Sequence, residues 1–350
     1  MMGELESLIK QVNKDFKSEI AHIGPGEYNY IRVPFTSVRL NYMLYGGLPL
    51  GKLIEFSGDN NSGKTTTALD AVKNFQLMFT DRRVVFVDCE NTFDVEWAKK
   101  LGVDVDNLVL IQPDNQTAED IFEMCLKFID TKEVSLLVID SLGVMLSEQA
   151  FNKTIAEKTY GGIASALTTF SKKAVNACAR NDCTLLGINQ MREDMGSMYG
   201  GTITTGGKAW KHNCIQRIQF RKGDYIDYTG KKVSRACENP AGNIVHCNII
   251  KNKGCIPDRK VGFYTLRYDT GIDYVLDTID VAITLGLVLT AGAWYSLIDL
   301  ETGEILKDGN GKDLKFQGKE NLKNYLLSNK QLWDKFYADV NNNVITSKTF

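Results

Sequence analysis

The sequence predicts an α/β fold: a core built on a mostly parallel sheet, with an N-terminal helix before it and a small α/β C-terminal domain after it. Three observations predict this. Four short apolar runs, Leu53 to Phe56, Val84 to Val87, Leu136 to Ile139 and Thr184 to Ile188, alternate with stretches of helical character, and strands buried on both faces between helices belong to parallel sheets. Ahead of them Leu5, Leu8, Ile9, Val12, Phe16 and Ile20 recur at helical spacing until Gly24-Pro25-Gly26 breaks the pattern. After Tyr268 the turn-rich stretch DTGID opens a last segment with its own helix and strand signals.

Taken in order, residues 1–34 form a helix and linker, 35–267 the core and 268–350 the C-terminal domain. The first helix is amphipathic from Glu4 to Ile20; it packs on its own domain or on a neighbouring subunit, since amphipathicity does not name the partner. Each apolar run of the core ends in polar or glycine-rich sequence: the loop from Gly58, then Asp88 and Glu90, then Asp140, then Asn189 and Gln190. Ligands of open α/β sheets bind outside the carboxyl ends of the strands, so these four ends converge on one site. Beyond Gln190, MREDMGSMYGGTITTGGKAWK has no clean period and reads as a long mobile loop of functional kind. The C-terminal segment reads as a helix from about Val275, a strand around Ala293 to Leu297, a Gly/Asp/Lys-rich hairpin and helices near Leu322 and Trp333.

Composition narrows the function class. A formal net charge of −2 over 350 residues gives no global attraction to nucleic acid or to an anionic membrane, so a DNA site must be a local patch. Glu4 and Glu6 stand where a secretory leader carries positive charge, and the longest apolar stretch, around Val281 to Ala293, is short of a bilayer span. The eight cysteines include no C-x-x-C pair, which argues against a zinc knuckle or a disulfide scaffold. A reducing cytoplasm, away from membranes, is the expected setting.

The strongest chemical signal is Gly58-Asp59-Asn60-Asn61-Ser62-Gly63-Lys64-Thr65, followed by Thr66, which fits G-x-x-x-x-G-K-[ST] between an apolar strand and a helix. Its glycines let backbone amides wrap a phosphate, Lys64 neutralises the β- and γ-phosphates of ATP, and the Thr65 hydroxyl ligates magnesium, Mg2+. Asp140, at the end of SLLVID, is placed to hold the same ion through water, although an aspartate after a buried strand is often only a helix cap. Glu90, after FVDC, is the candidate base that orients the attacking water; a solvated carboxylate is the bland alternative. Gln190 is placed to sense the γ-phosphate and, being an amide, acts by positioning rather than as a base.

These elements, together with GGLPLGKLIEFSGDNNSGKTT, KKLGVDVDNLVLIQPD, LLVIDS, LLGINQMR, TTGGKAWK, IIKNK and AGAWYS in order along nearly the whole chain, resemble the RecA family. The resemblance implies a RecA-type P-loop ATPase core, ATP bound between subunits of a helical filament, single-stranded DNA along the filament axis, and pairing of that strand with homologous duplex DNA. It implies a first DNA loop at Tyr160, Gly161 and Gly162. A second spans Met191 to Thr205, so that Arg192, Met195, Gly196, Met198 and Tyr199 within it, and Gly206, Gly207 and Lys208 just after it, are implied DNA-binding positions. Lys251 and Lys253 match the family's pair that crosses the interface to the γ-phosphate; without the resemblance they read as a solvated turn. Trp97 falls where the family stacks an aromatic on adenine, beside Asp94 at the amino group, and Ile20 resembles an apolar residue that docks on the next subunit.

The chain departs from the family pattern in places. Ser165 stands where an arginine is usual, Asp194 replaces a basic residue in a second loop one residue shorter, His212 stands in place of Phe, and the ending NNNVITSKTF lacks an acidic tail. These changes put the individual DNA contacts in question, while Lys153, Lys158, Lys208 and Lys211 supply local positive charge. Two rival readings share the nucleotide residues: a ring motor, which uses an arginine finger and lacks the TTGG-linked loop, and a filament-forming mediator that binds ATP without turnover, against which the intact Lys64, Thr65, Glu90, Asp140 and Gln190 argue.

Overall fold

The computed structural model describes residues 3–17, 21, 23, 31–154, 162–193, 201–299 and 302–346. The chain falls into two compact units, Met1–Ile31 and Arg32–Phe350. In the first, helix α1 (Glu4–Asp15) follows the amphipathic period but stops short of Ile20, which lies outside the described residues; Asn13 brackets the backbone of Ala21 with two hydrogen bonds. None of the α1 side chains is buried. The linker Gly24-Pro25-Gly26 also lies outside the described residues.

The second unit opens with β1 (Arg32–Val33), α2 (Val38–Leu44) and β2 (Leu48–Pro49), β1 and β2 pairing antiparallel. Helix α2 starts where the Ser37 hydroxyl accepts the Leu40 amide and ends at Tyr45 in the left-handed conformation. There follow β3 (Leu53–Gly58), α3 (Lys64–Met78), β4 (Arg83–Asp88), α4 (Val95–Lys100), β5 (Leu108–Ile111), α5 (Ala118–Asp130), β6 (Val134–Asp140), α6 (Glu148–Phe151), α7 (Ala164–Asn181) and β7 (Thr184–Glu193). The four predicted apolar runs are thus strands β3, β4, β6 and β7. All of them pair in parallel, in the order β3-β7-β6-β4, and β5 extends that edge.

Alternation along these strands loads both faces of the sheet. Ile54, Phe56, Val84, Phe86 and Leu186 pack with α3 through Leu69, Val72 and Phe75. Leu53, Val85, Val87, Leu137 and Leu185 pack on the other face with α5 and α7. The Thr117–Asp120 capping box begins α5.

The stretch after Gln190 differs from the expected long loop. Strand β7 runs on to Glu193 and pairs with β8 (Thr202–Thr204), and Gly206 starts α8 (Gly207–Asn213). Met191-Arg192-Glu193 pairs with Thr202-Ile203-Thr204, whose β-branched residues suit a strand, and the Gly206-Gly207 pair supplies positive φ at the helix start. Residues 194–200, and with them Asp194, lie outside the described residues.

Next come β9 (Gln216–Ile226), β10 (Lys232–Val233), β11 (Gly242–Asn252), β12 (Val261–Arg267) and β13 (Gly271–Ile272). Strand β9 joins β3 in parallel, and β11, β12 and β13 add antiparallel beyond it. The C-terminal segment holds α9 (Tyr274–Thr284), β14 (Val288–Ala291), β15 (Trp294–Leu297), β16 (Lys315–Gln317), α10 (Lys319–Ser328) and α11 (Lys330–Thr346). The apolar stretch 281–293 is split between α9 and β14. The three strands form a separate antiparallel sheet. Val275, Ile279, Leu297, Leu322, Phe336 and Val340 build a core of their own, which Val38 of α2 joins. Among the described residues no helix is long and apolar enough to cross a membrane.

Candidate nucleotide and DNA site

The loop between β3 and α3 is shaped by what cannot fit in it. Gly58 has a φ of 153°, and a Cβ there would lie 2.3 Å from the Phe220 carbonyl oxygen and 2.8 Å from Ser62 Oγ. Gly63, at φ 95°, caps α3, and a Cβ there would press on Val245 and the Tyr264 hydroxyl. Asn61 also takes a positive φ, 57°. Asp59, Asn60 and Asn61 are exposed, Ser62 is buried, Thr65 is exposed and Thr66 half-buried.

Lys64 is nearly buried, at 8 % exposure, and its ammonium donates to the Asp59 carbonyl oxygen at 2.7 Å. Burial pushes its pKa down, against the opposing pull of Asp140, Glu90 and Asp59. Ser62 Oγ is buried without a hydrogen-bond partner. An orphaned hydroxyl and a folded-back lysine inside a glycine cradle, at a helix N-terminus, match the needs of a phosphate chain.

The neighbouring strand ends close around this loop. Thr65 Oγ1 donates to Asp140 Oδ2 at 2.8 Å. Burial raises Asp140 to about 6, with Thr65 and Lys64 lowering it and Glu90 raising it. Glu90 accepts on one oxygen both the Ser141 hydroxyl at 2.5 Å and the Gln190 amide at 2.9 Å. Asp88 takes a different part: it accepts the amides of Thr92 and Phe93 and the side chain of Gln112, and so shapes the turn that presents Glu90. Lys64, Thr65, Glu90, Asp140 and Gln190, which come from four strand ends, therefore meet in one site.

No group of three or more His, Cys, Asp or Glu among the described residues is arranged to hold a metal by itself. A cation between Thr65 and Asp140 would thus complete its shell with phosphate oxygens and water, as magnesium does. The excess of carboxylates over Lys64 favours such an ion.

The other predicted positions are distributed as follows. Asp94 is exposed and caps α4 by accepting the Trp97 amide at 2.9 Å, and Trp97 lies half-buried against the core. Lys251, at the end of β11, donates to the carbonyls of Lys211 and His212 at 2.8 and 2.7 Å, the last turn of α8, where a cation meets the negative helix end. Burial, then Lys253, lowers its pKa. Lys253 is exposed in the turn that follows. Gly162 sits in the turn before α7 with open space around it, and Arg192 is exposed with its guanidinium on the Gly143 carbonyl at 2.8 Å. Gly206 and Gly207 open α8, and Lys208 is exposed on its first turn. Tyr160, Gly161, Met195, Gly196, Met198 and Tyr199, as well as Lys158, lie outside the described residues.

Three residues that sequence reasoning passed over belong to this machinery. Ser141 holds Glu90. Glu55, in the middle of β3, accepts from Asn189, Trp210 and Arg217. Its signal was present, since a carboxylate inside the buried run LIEF demands partners. Trp210, fully buried, is the third.

Known proteins resemble this chain along most of its length. The family model described as the RecA N-terminal domain matches residues 3–273. Protein RecA of Ruminococcus albus is 31% identical over 347 residues, covering 98% of this chain and 80% of that one. Protein RecA of Chloroherpeton thalassium is 30% identical over 351 residues, covering 99% and 91%, and that of Clostridioides difficile is 31% identical over 332 residues, covering 94% and 88%. With a phosphate loop, a threonine–aspartate pair and a glutamate–glutamine pair at the strand ends, and with relatives matching along nearly its full length, the chain belongs to the RecA family of DNA recombinases.

Proposed function

We propose that the chain binds ATP and magnesium at the ends of β3, β4, β6 and β7, and hydrolyses ATP when single-stranded DNA is bound. On that strand it assembles into a helical filament that exchanges it with homologous duplex. Its family is one of DNA-dependent ATPases that use nucleotide and Mg2+, bind DNA and form filaments. The single observation that carries the reading is the convergence at neighbouring strand ends of the loop residues Lys64 and Thr65, Asp140 bonded to Thr65, and Glu90 bonded to Gln190 and to Ser141 next to Asp140.

Each residue then has a task. The amides of Gly58 to Thr66 and the Lys64 ammonium hold the phosphates. Thr65 and Asp140 hold magnesium, which when bound supplies positive charge to the phosphate oxygens. Glu90, one oxygen already occupied by Ser141 and Gln190, uses the other to orient water and take its proton. Gln190 reports the γ-phosphate to β7 and the segment beyond. Trp97 and Asp94 receive the adenine, and Lys251 and Lys253 act on the nucleotide of the neighbouring subunit. Gly162, Arg192, Gly206, Gly207 and Lys208, with Tyr160, Gly161, Met195, Gly196, Met198 and Tyr199, contact single-stranded DNA through amides, cations and side chains beside the bases. Residues 268–350 form a domain that helps capture duplex.

The test is transfer of a labelled strand between single-stranded DNA and homologous duplex, with ATP and magnesium, comparing wild type with Lys64→Ala. Exchange that requires homology, ATP and Lys64 is the expected result. Strand separation without a homology requirement would indicate a motor instead, and ATP-dependent assembly with neither activity a mediator.

A further inference from the structure

The turn from Lys253 to Lys260, between β11 and β12, is largely exposed: Lys253, Ile256, Pro257, Asp258 and Lys260 all face solvent. Arg259 does not. Its side chain is only 9% exposed, because the guanidinium enters a slot at the end of α2. There its central carbon lies 3.9 Å from the centre of the Tyr42 ring and 4.0 Å from that of Tyr45. Its Nη1 donates to the Tyr42 carbonyl at 2.8 Å. The Tyr45 hydroxyl donates to Asp258 at 2.7 Å. Burial, then the bond to Asp258, holds that hydroxyl up to about 12, so it remains a donor at any working pH.

The walls of the slot are tightly built. Tyr45 is 2% exposed and sits at φ 55°, and Gly47 beyond it lies so close to the backbone that a Cβ would stand 2.0 Å from the Val33 carbonyl oxygen. The near side of the turn is tied to the same place: Arg32 donates to the Gly254 carbonyl at 2.6 Å and to those of Leu44 and Gly47, both at 3.1 Å. Both ends of the turn are therefore fixed to the end of α2, while the Lys253 amide is fixed to the Ile215 carbonyl at 2.9 Å. A cation held between two aromatic faces and satisfied by a carbonyl is a rigid attachment. A rigid attachment is what a lysine on a surface turn requires if it is to stabilise charge on another molecule, where displacement by about 1 Å costs up to about a hundredfold in rate.

We infer that Arg259, clamped by Tyr42 and Tyr45, is a positioning residue that sets the place from which Lys253, on the same turn, acts on the neighbouring subunit's nucleotide beside Lys251, which β11 and the end of α8 hold separately. This rests on the reading of those lysines as acting in trans.

Mixed assemblies test it. A Lys64→Ala subunit has a dead site of its own but intact lysines; an Arg259→Ala subunit has an intact site but a misplaced Lys253. Arg259→Ala alone should lose about tenfold or more of its ATPase on single-stranded DNA. Mixed in equal amounts with Lys64→Ala it should regain about a quarter of the wild-type rate, because about one head-to-tail interface in four joins an intact site to intact lysines. The paired substitution Lys251→Ala with Lys253→Ala, mixed with Lys64→Ala in the same way, is the control. Recovery in the control but not with Arg259→Ala would show an ordinary structural residue and overturn the inference alone. Recovery in neither would overturn the trans reading and the inference with it, and full activity of Arg259→Ala by itself would sink the inference outright. Should Arg259→Ala not fold, Arg259→Lys keeps the charge, loses the planar stack and carries the same expectations.

Discussion

Replacing Glu55 by glutamine tests whether a buried charge holds the nucleotide strand to the segment that flanks residues 194–200. Glu55 is fully buried on β3. One oxygen accepts Asn189 Nδ2 at 3.0 Å and Trp210 Nε1 at 3.1 Å, and the other accepts Arg217 Nε. Every partner is a donor, so an amide in place of the carboxylate must turn its own NH2 toward either Arg217 or the Asn189–Trp210 pair, and it leaves the Arg217 charge, whose side chain is 14% exposed, without a counter-ion. Breaking a buried pair from one side costs about 3–5 kcal/mol, a large part of the ~5–15 kcal/mol that a folded domain has. Glu55→Gln should therefore lower the unfolding free energy by that amount, seen as a lower urea midpoint with the slope unchanged. Adding Arg217→Met should recover at least about 1.5 kcal/mol, since the stranded charge goes with it. A Glu55→Gln protein within about 0.5 kcal/mol of wild type, or a double variant that shows plain additivity, would refute this reasoning.

Glu90→Gln keeps the shape of the side chain but removes the proton acceptor, so kcat for ATP should fall about 10²–10⁴-fold, with nucleotide affinity nearly unchanged; equal losses in binding, measured with a fluorescent nucleotide, would assign Glu90 to holding rather than to hydrolysis. A pH effect belongs to the joint between α2 and α9. Asp277 is buried there, accepts the Ser37 hydroxyl at 2.7 Å and the Arg39 amide at 2.9 Å, and leaves its other oxygen without a partner. Burial raises it to about 7, Arg39 lowers it and Asp280 raises it. Because the folded pKa lies above the unfolded one of about 3.9, the folded protein keeps a proton that the unfolded chain has released, so stability falls as pH rises from about 4 to 7 and levels above; a shift of this size corresponds to at most about 4 kcal/mol. Asp277→Asn should flatten that decline and melt higher than wild type at pH 8, and parallel melting curves for the two from pH 5 to 8 would exclude Asp277 as its source.

The parallel half of the sheet and the nucleotide residues were legible in the sequence because their signals are local. A strand buried on both faces is a continuous apolar run, and a phosphate loop is a fixed spacing of glycine, lysine and threonine. The antiparallel half was not, because its strands are half-exposed: along β12 every second residue from Gly262 to Leu266 is buried and its neighbours are not. The stretch after Gln190 was read as loop because its paired ends, Met191 to Glu193 and Thr202 to Thr204, are three residues each, too short to show a period in the sequence. The least legible features join residues far apart in the chain. Tyr45 meets Asp258 and Glu55 meets Arg217 across long separations, and no pattern near either residue announces its partner.

The reach of the nucleotide site into the rest of the molecule follows from the pleat of one strand. Asn189 and Gln190 are consecutive on β7 and so point to opposite faces. Gln190 meets Glu90 beside the phosphate loop, while Asn189 lies within the sheet's other face, bonded to Glu55 and to the Thr205 carbonyl at 2.8 Å. Asn189 Oδ1 and Thr205 Oγ1 are both buried without partners, an acceptor and a donor close to one shared contact, so a small shift of β7 has a hydrogen bond to gain. Thr205, which Asn189 contacts on the far side of the strand from Gln190, leads into Gly206 and α8. At the other end of α8 Lys251 holds the last carbonyls. Gln190, proposed to sense the γ-phosphate, the flanks of residues 194–200 and Lys251, proposed to act on the neighbouring subunit, are thereby joined by one strand and one helix.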